Sequence, residues 1–214
     1  MDKIKAKKYN LSLVKGLSDS QLKQHYELYL GYVRKINEIR SKLKTLDDIE
    51  GNTTYSPFRG LKKGETYAIN GVKLHELYFE NIVAGTGIPT GRIIRLIEHD
   101  FGSYSEWEKR FRETGKSARG WTVLSYDYRD NRLHNYLLDA HDEGNVERTW
   151  PLLILDVYEH AYMIDFGIDR EKYLNVFFNT INWDVVNKRT QEALEIKDVV
   201  EGKDKGGSKI YWSK

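Results

Sequence analysis

Apolar positions in the first half of the chain recur at helical spacing in two long stretches. The first begins at Ser18, for which Gln21 three residues later predicts a capping box, and ends near Leu43. Its apolar and aromatic positions are Leu22, Tyr26, Tyr29, Val33, Ile36, Ile39 and Leu43. The second runs from about Gly64 to Ile82, after a polar loop around residues 51–57. The pattern predicts an antiparallel helical hairpin.

The second half of the chain alternates between helical and extended patterns. A Gly- and Pro-rich segment, residues 83–91, separates it from the hairpin and indicates a domain boundary. Helices are predicted at residues 91–99, 105–114, 158–165 and 170–194, the last with an interruption near Asn182. Strands are predicted at residues 121–128, 133–138 and 152–155, the first two forming a β-hairpin.

Composition and charge exclude several classes of function. The 214 residues are 40% hydrophobic and 13% aromatic, which is enough for a sizeable core. There is no cysteine, so disulfides, thiolate metal sites and cysteine nucleophiles are excluded. The net charge of +2 does not indicate a nucleic-acid partner. No apolar run is long enough to span a membrane, and no apolar segment follows the basic N-terminus, so we expect a cytoplasmic protein.

The candidate chemistry is concentrated between Pro151 and Phe166. A buried strand ends in Asp156, and an ionised carboxylate in an apolar interior is costly unless it is paired. His160 follows four positions later, and on one helical turn both side chains could face one cation. The alternative for this pair alone is an Asp–His hydrogen bond that caps a helix.

Two further histidines, His25 and His75, lie among the apolar positions of the two hairpin helices. A single histidine in such a place is more often a hydrogen-bonded core residue than a ligand. Together with Asp156 and His160, however, they form a set of three imidazoles and one carboxylate. This donor set suits a first-row cation, and Zn, Fe and Mn all fit it chemically.

Several motifs resemble those of the iron/manganese superoxide dismutases. The segment Asp156–Tyr162 is similar to that family's Asp-x-Trp-Glu-His-Ala-Tyr signature, and His75–Phe79 resembles its second ligand segment. Further similar segments occur in family order, at residues 100–104, 120–121, 179–183 and 187–189. The resemblance covers roughly residues 9–194.

The resemblance implies a fold, a cofactor and an activity. The fold is α+β: an N-terminal helical hairpin domain at 1–87, then a C-terminal domain at 88–195 with helices around a three-stranded antiparallel sheet. Residues 196–214 lie outside the resemblance, and their weak periodicity predicts a partly disordered tail. The implied metal ligands are His25, His75, Asp156 and His160, which hold one Mn or Fe ion per subunit. The implied reaction is antioxidant: superoxide becomes O₂ and hydrogen peroxide through an M(III)/M(II) cycle.

By the same resemblance, three more residues act around the metal. His141 falls where family members place a residue that hydrogen-bonds metal-bound solvent, and Tyr32 resembles the gateway tyrosine. Glu159 resembles a glutamate that reaches a partner subunit, which implies a homodimer or homotetramer. Gly71 stands where many iron enzymes keep a glutamine, so the donor should come from His141. Each has an alternative: His141 could be a surface-loop residue and Tyr32 plain core.

The chain also departs from the family pattern. His25 and Tyr32 are seven positions apart instead of eight, and seven steps return to within about 20° of the same direction on a regular α-helix. We therefore predict a first helix without a π-bulge, with Tyr32 still facing the site.

Other departures change what surrounds the metal. Tyr29 lies near the place of a family histidine, and Met163 replaces its usual tyrosine partner, which predicts loss of that hydrogen-bond relay. Tyr158, Phe79 and Val123 each stand where tryptophan is usual. These changes bear on turnover more than on metal binding, because residues around the ligands tune the metal.

Two other functions stay open on the sequence. One is a superoxide dismutase-like protein that binds metal in a structural or interaction role. The other is a redox-silent Zn site or a different metal-dependent redox activity. The four ligands do not decide between Mn and Fe, although Gly71 together with His141 favours Mn or tolerance of either metal.

Overall fold

The structure is a computed structural model that describes residues 3–47 and 49–200. The described part contains seven α-helices and three strands in this order: α1 Asp19–Lys44, α2 Pro57–Ile82, α3 Arg92–Phe101, α4 Tyr104–Ser117, β1 Trp121–Asp127, β2 Arg132–Leu138, β3 Thr149–Asp156, α5 Met163–Phe166, α6 Arg170–Thr180 and α7 Trp183–Val200. Short 3₁₀ turns lie at Leu11–Leu13 and Glu159–Ala161. The predicted α+β fold is confirmed.

The two hairpin helices pack through the predicted apolar faces. In α1 the buried side chains include Leu22, His25, Tyr29 and Val33, and the helix is α-helical throughout, so the predicted absence of a π-bulge is confirmed. Helix α2 begins at Pro57, seven residues before the predicted start. Its first turn is mostly exposed and therefore carries no apolar pattern, but the Ser56 hydroxyl caps it by accepting a hydrogen bond from the backbone N–H of Arg59.

The second part of the fold is a three-stranded antiparallel sheet with strand order β2–β1–β3. Trp121, at the start of the central strand, pairs with Leu138 at the end of β2 and with Asp156 at the end of β3. This end of the sheet therefore brings Asp156 close to the segment that follows β2. Helix α2 packs on β3 and on α6 and α7, and the buried side chains form one continuous core.

The segment 83–91 joins the two parts at close range. A Cβ atom at Gly85 would lie 1.8 Å from the carbonyl oxygen of Thr180, so only glycine fits there. The backbone N–H of Gly87 donates to the carbonyl oxygen of Ile181. The division of the chain at residues 87 and 88 stays a prediction.

Two predicted helices differ in the structure. Residues 158–165 form a 3₁₀ turn at Glu159–Ala161 followed by the one-turn helix α5, rather than one helix. Helix α7 continues to Val200, beyond the predicted end near residue 194. The rest of the predicted tail, residues 201–214, lies outside the described residues. Within the described residues, no helix is both long and apolar enough to cross a membrane.

Candidate metal centre

The four predicted ligands come together from four different elements. His25 is on α1, His75 is on α2, Asp156 ends β3, and His160 lies in the 3₁₀ turn that follows. One potential ligand atom from each residue lies within 4.8 Å of the other three. The side chains of His25, His75 and Asp156 are buried, whereas that of His160 is 26% exposed.

Three imidazole nitrogens converge on a single carboxylate oxygen. The Oδ2 atom of Asp156 lies 3.1 Å from Nε2 of His25 and 3.2 Å from Nε2 of His160. Nε2 of His75 is 3.7 Å from the same oxygen. Three nitrogens and one oxygen that face one point in a buried space form a donor set for a first-row transition metal.

The carboxylate of Asp156 is held in its charged form. Burial by itself would raise the pKa of Asp156, but the charges and hydrogen bonds of His160 and His25 lower it well below its usual range. The backbone N–H of Tyr158 donates to Oδ1 at 3.0 Å, which leaves Oδ2 directed at the histidines. An ionised carboxylate supplies the negative charge that a bound cation needs.

His75 is oriented as a ligand. Its Nδ1 lies 2.6 Å from the carbonyl oxygen of Gly71, which can only accept, so Nδ1 carries the proton and Nε2 presents a lone pair. Burial and the neighbouring His25 hold the pKa of His75 well below 6.5, so the ring is neutral. Nε2 is buried and has no hydrogen-bond partner within the described residues. A metal ion would satisfy this orphaned atom, so the residues present fit the group.

The predicted shared helical turn of Asp156 and His160 is wrong. Asp156 is the last residue of β3, and His160 lies in the 3₁₀ turn Glu159–Ala161. The two side chains still converge, with Nε2 of His160 3.2 Å from Oδ2 of Asp156 and the N–H of Tyr158 bound to the same carboxylate. Spacing alone did not distinguish this turn from a helix.

Gln21 fixes this turn against α1. The Ser18 hydroxyl accepts the N–H of Gln21 as predicted, but the Gln21 side chain does not complete a capping box. Its amide group donates to the carbonyl oxygen of His160 and accepts from the N–H of Ile164. The backbone N–H of Ser18 instead donates to Asp165. Gln21 therefore ties the segment that carries His160 to the helix that carries His25.

His141 is buried beside the four converging residues, not in a surface loop. The indole N–H of Trp121 donates to its Nδ1 at 2.9 Å, so in the neutral ring Nε2 carries the proton. Burial lowers the pKa of His141 to about 4, against the opposing effect of Asp156, so the ring is neutral near pH 7. The Nε2–H donor has no partner within the described residues. Its ring centre lies 5.8 Å from that of His75.

Tyr32 faces the same space. Its ring centre is 5.4 Å from that of His75 and 4.8 Å from that of His141, as the seven-residue spacing from His25 predicts. This packing explains why residue 71 is a glycine. A Cβ atom at Gly71 would lie 2.9 Å from the Tyr32 ring and 3.2 Å from His141, so a longer side chain there would displace both.

Tyr29 is bound to the N-terminal arm of its own chain. Its hydroxyl donates to a carboxylate oxygen of Glu76 and accepts the backbone N–H of Lys7, both at 2.8 Å. The Met163 side chain is exposed and offers no hydroxyl group, only a weakly accepting thioether sulfur. The described contacts of Tyr29 therefore serve arm docking rather than a relay through residue 163.

Of the three side chains predicted to stand in place of tryptophan, Tyr158 and Phe79 lie beside the candidate ligands. Tyr158 stacks on His160 at 5.1 Å between ring centres, and Phe79 lies 5.0 Å from His25. Val123 is buried in the central strand. The enclosure is smaller in aromatic area than three indoles would provide, and the one indole nearest the centre is Trp121, 5.0 Å from His75.

Tyr67 belongs to this centre, although the sequence analysis did not single it out. Its ring centre lies 4.5 Å from that of His141 and 6.1 Å from that of Tyr32. The available signal was its position on α2, four residues before Gly71 and eight before His75. Side chains four apart are neighbours on a helix surface.

A second group of potential ligands lies at the β1–β2 turn. Asp127, Asp130 and His134 also have ligand atoms within 4.8 Å of one another. Their carboxylates accept hydrogen bonds from Arg129, Arg132, His134 and Tyr136, and the group is largely exposed. These contacts account for the cluster without a metal.

Glu159 is exposed and lies beside His160, the most accessible of the four converging residues. The structure describes one chain, so the predicted contact of Glu159 with a partner subunit stays a prediction.

Comparison with known proteins relates the chain to one family. Residues 89–189 match the family model of the iron/manganese superoxide dismutase C-terminal domain. The chain is 38% identical to the iron superoxide dismutase of Aquifex pyrophilus, over 88% of this chain and 91% of that protein. It is 33% identical to a manganese superoxide dismutase of Halobacterium salinarum, over 84% of this chain and 89% of that protein.

Proposed function

Because the chain belongs to the iron/manganese superoxide dismutases, we propose that it converts superoxide to O₂ and hydrogen peroxide at a mononuclear site. His25, His75, Asp156 and His160 would hold one manganese or iron ion. The observation that carries the proposal is the convergence of three imidazole nitrogens on one ionised carboxylate, with Nε2 of His75 left without a partner among the described residues. The relatives include both iron and manganese enzymes, so either metal fits the family.

The residues around the centre contribute to the reaction by holding and supplying protons. A bound manganese or iron ion would supply the one-electron oxidation and reduction that dismutation requires. Two protons are consumed for each hydrogen peroxide formed from two superoxide ions. The Nε2–H of His141, which has no partner in the described part of the chain, can hold a water or substrate oxygen by hydrogen bonding, and Tyr32 offers a phenol in the same space. Both groups are uncharged near pH 7, because burial lowers the pKa of His141 and raises that of Tyr32.

Elemental analysis and a dismutation assay on one purified sample test the proposal. We expect about one manganese or iron ion per chain, because the four ligands surround a single centre. We also expect activity in proportion to that metal content. Stoichiometric manganese or iron without activity would favour a metal-binding protein with a structural role, because the altered aromatic enclosure would then have silenced the site. Stoichiometric zinc would favour the redox-silent alternative.

Substitution of His141 tests its role separately from metal binding. We expect His141→Ala to keep its metal but lose turnover, roughly 10- to 100-fold, because a hydrogen-bond donor positioned beside the ligands is removed. His141→Gln keeps an acceptor for the Trp121 N–H and a donor toward the site, so it should retain more turnover than the alanine variant.

The pH profile of kcat distinguishes this role from a structural one. His99→Ala serves as the control, because His99 is exposed on α3. Unchanged turnover and an unchanged profile in His141→Ala would mean that His141 only fills space beside Trp121.

Assembly and location are also proposals. We propose a homodimer or homotetramer that covers the exposed side chains around His160, which include Glu159, Met163 and Ile164. A sedimentation-equilibrium mass equal to that of a single chain would contradict this proposal. A cytoplasmic location, without a nucleic-acid or membrane partner, stays a prediction that cell fractionation can check.

A further inference from the structure

His160 is the one candidate ligand that lies in neither an α-helix nor a strand. His25 and His75 lie within the hydrogen-bonded turns of α1 and α2, and Asp156 ends a strand that pairs with β1. His160 lies in a three-residue 3₁₀ turn that precedes the one-turn helix α5. Hydrogen bonds in 3₁₀ turns have poorer geometry than those in α-helices. The position of this ligand therefore depends on contacts from outside the turn.

Gln21 supplies these contacts to the backbone of the turn. Its side-chain NH₂ group donates to the carbonyl oxygen of His160, and its side-chain oxygen accepts the N–H of Ile164 at 3.1 Å. Among the described residues, Gln21 is the only one outside 156–169 that forms a hydrogen bond with the backbone of residues 159–166. One side chain thus attaches this segment to α1 at two points.

The Gln21 side chain is completely buried where it makes these contacts. A buried amide costs free energy unless its groups are paired, and both partners of the Gln21 amide lie in the segment that carries His160. The start of α1 adds a third contact, because the backbone N–H of Ser18 donates to the Asp165 carboxylate at 2.7 Å. The first turn of α1 therefore holds the segment along its length.

We propose that Gln21 is a positioning residue for the metal: it fixes the main chain around His160 so that Nε2 of His160 stays directed at the centre. The inference rests on the proposed function, since it concerns a ligand of that same site. The His160 side chain is 26% exposed, the most of the four, so without this anchor its ring could turn toward solvent. Residues that orient a metal ligand typically change metal affinity about 10- to 100-fold when they are replaced.

Competition with a chelator for Mn(II) tests the proposal on the full chain. We expect Gln21→Leu to weaken Mn(II) affinity about 10- to 100-fold, because both anchoring hydrogen bonds are removed while a buried side chain of similar size is kept. Gln24→Leu is the matched control, because Gln24 is exposed on the same helix and its amide donates to Ser20. Equal Mn(II) affinity in Gln21→Leu and Gln24→Leu would overturn the proposal.

Amide hydrogen exchange in the metal-free protein separates positioning from a general loss of stability. In the unaltered protein the N–H of Ile164 should be protected, and in Gln21→Leu it should exchange faster while that of Leu124, buried in β1, is unchanged. Equal acceleration at Ile164 and Leu124 would mean that the substitution destabilises the whole fold and that Gln21 has no specific role. An unprotected Ile164 amide in the unaltered protein would overturn the proposal by itself.

A second variant and a spectrum complete the test. Gln21→Met has an unbranched side chain of similar length without an N–H donor, and we expect the same loss of Mn(II) affinity as in Gln21→Leu. The electron paramagnetic resonance spectrum of bound Mn(II) depends on the arrangement of its ligands. We expect this spectrum to change in both Gln21 variants and to stay unaltered in Gln24→Leu. Unchanged spectra in both Gln21 variants would contradict the positioning role.

Failure of this inference can be distinguished from failure of the proposed function, because Mn(II) affinity is measured without turnover. If the loaded protein binds Mn(II) but has no dismutase activity, the proposed function fails and the affinity comparison still decides the role of Gln21. If the unaltered protein is active but Gln21→Leu binds Mn(II) equally well, the function stands and Gln21 is only a structural contact.

Discussion

Substitution of Asp156 by asparagine is expected to abolish metal retention. We expect the metal content of Asp156→Asn to fall at least about tenfold below that of the unaltered protein, with dismutation falling in proportion. The carboxylate is the only negatively charged group among the four converging residues, and its Oδ2 atom is their common point. An asparagine side chain loses that charge and can direct N–H donors at the histidines. Metal analysis after dialysis measures the effect.

The control for this substitution is Asp139→Asn, which makes the same chemical change at an exposed residue. The Asp139 carboxylate accepts the backbone N–H of Arg119 and lies outside the converging group. Full metal content in Asp156→Asn would show that the carboxylate is not a ligand. Circular dichroism of both variants establishes that the fold is retained, so that a loss of metal is not a loss of structure.

The largest effect on stability is expected from Arg189. Its side chain is 6% exposed, and its guanidinium donates to the carbonyl oxygens of Leu77 and Leu152 and to the Glu80 carboxylate. It therefore joins α2, β3 and α7 at one point. We expect Arg189→Met to lower the free energy of unfolding by about 2–4 kcal/mol, because buried carbonyl groups are left unpaired. Urea denaturation at equal metal content measures the change.

Lys188→Met provides the comparison for Arg189→Met. Lys188 is the preceding residue, is exposed, and forms no ion pair with another described residue. If the urea midpoint shifts no more in Arg189→Met than in Lys188→Met, the contacts that Arg189 makes with α2 and β3 add no net stability. Glu80 would keep Lys7 as a partner in the Arg189 variant, which is why the expected loss is moderate.

Much of the architecture could be predicted because helices and strands leave local periodic patterns. The face of α1 that carries His25, Tyr29 and Val33 is buried as its spacing indicates. The errors fall where that signal is absent or ambiguous. The exposed first turn of α2 has no apolar stripe, and the residues between Asp156 and Phe166 have spacings that a helix and a 3₁₀ turn share.

The candidate site was only partly predictable for a related reason. The four converging residues could be named from the apolar pattern and from the resemblance of short motifs. The hydrogen-bond partners of the residues that surround these four could not be predicted in this way. The side chain of Gln21 accepts the N–H of Ile164, which is 143 positions away in the chain. The indole N–H of Trp121, on β1, donates to His141, which follows β2. Such pairs depend on how elements are packed against each other, which no local spacing records.

The sequence by itself determined the order of the elements, the apolar faces that meet in the core and the residue types available to a metal. Each of these follows from positions close together in the chain, where side-chain direction repeats with the backbone. Only the tertiary structure decided that the Trp121 N–H donates to Nδ1 of His141, that Nε2 of His141 has no partner within the described residues, and that Tyr67 packs against His141. These features arise where separate elements pack together, and a hydrogen bond or a cavity exists only once that packing is complete.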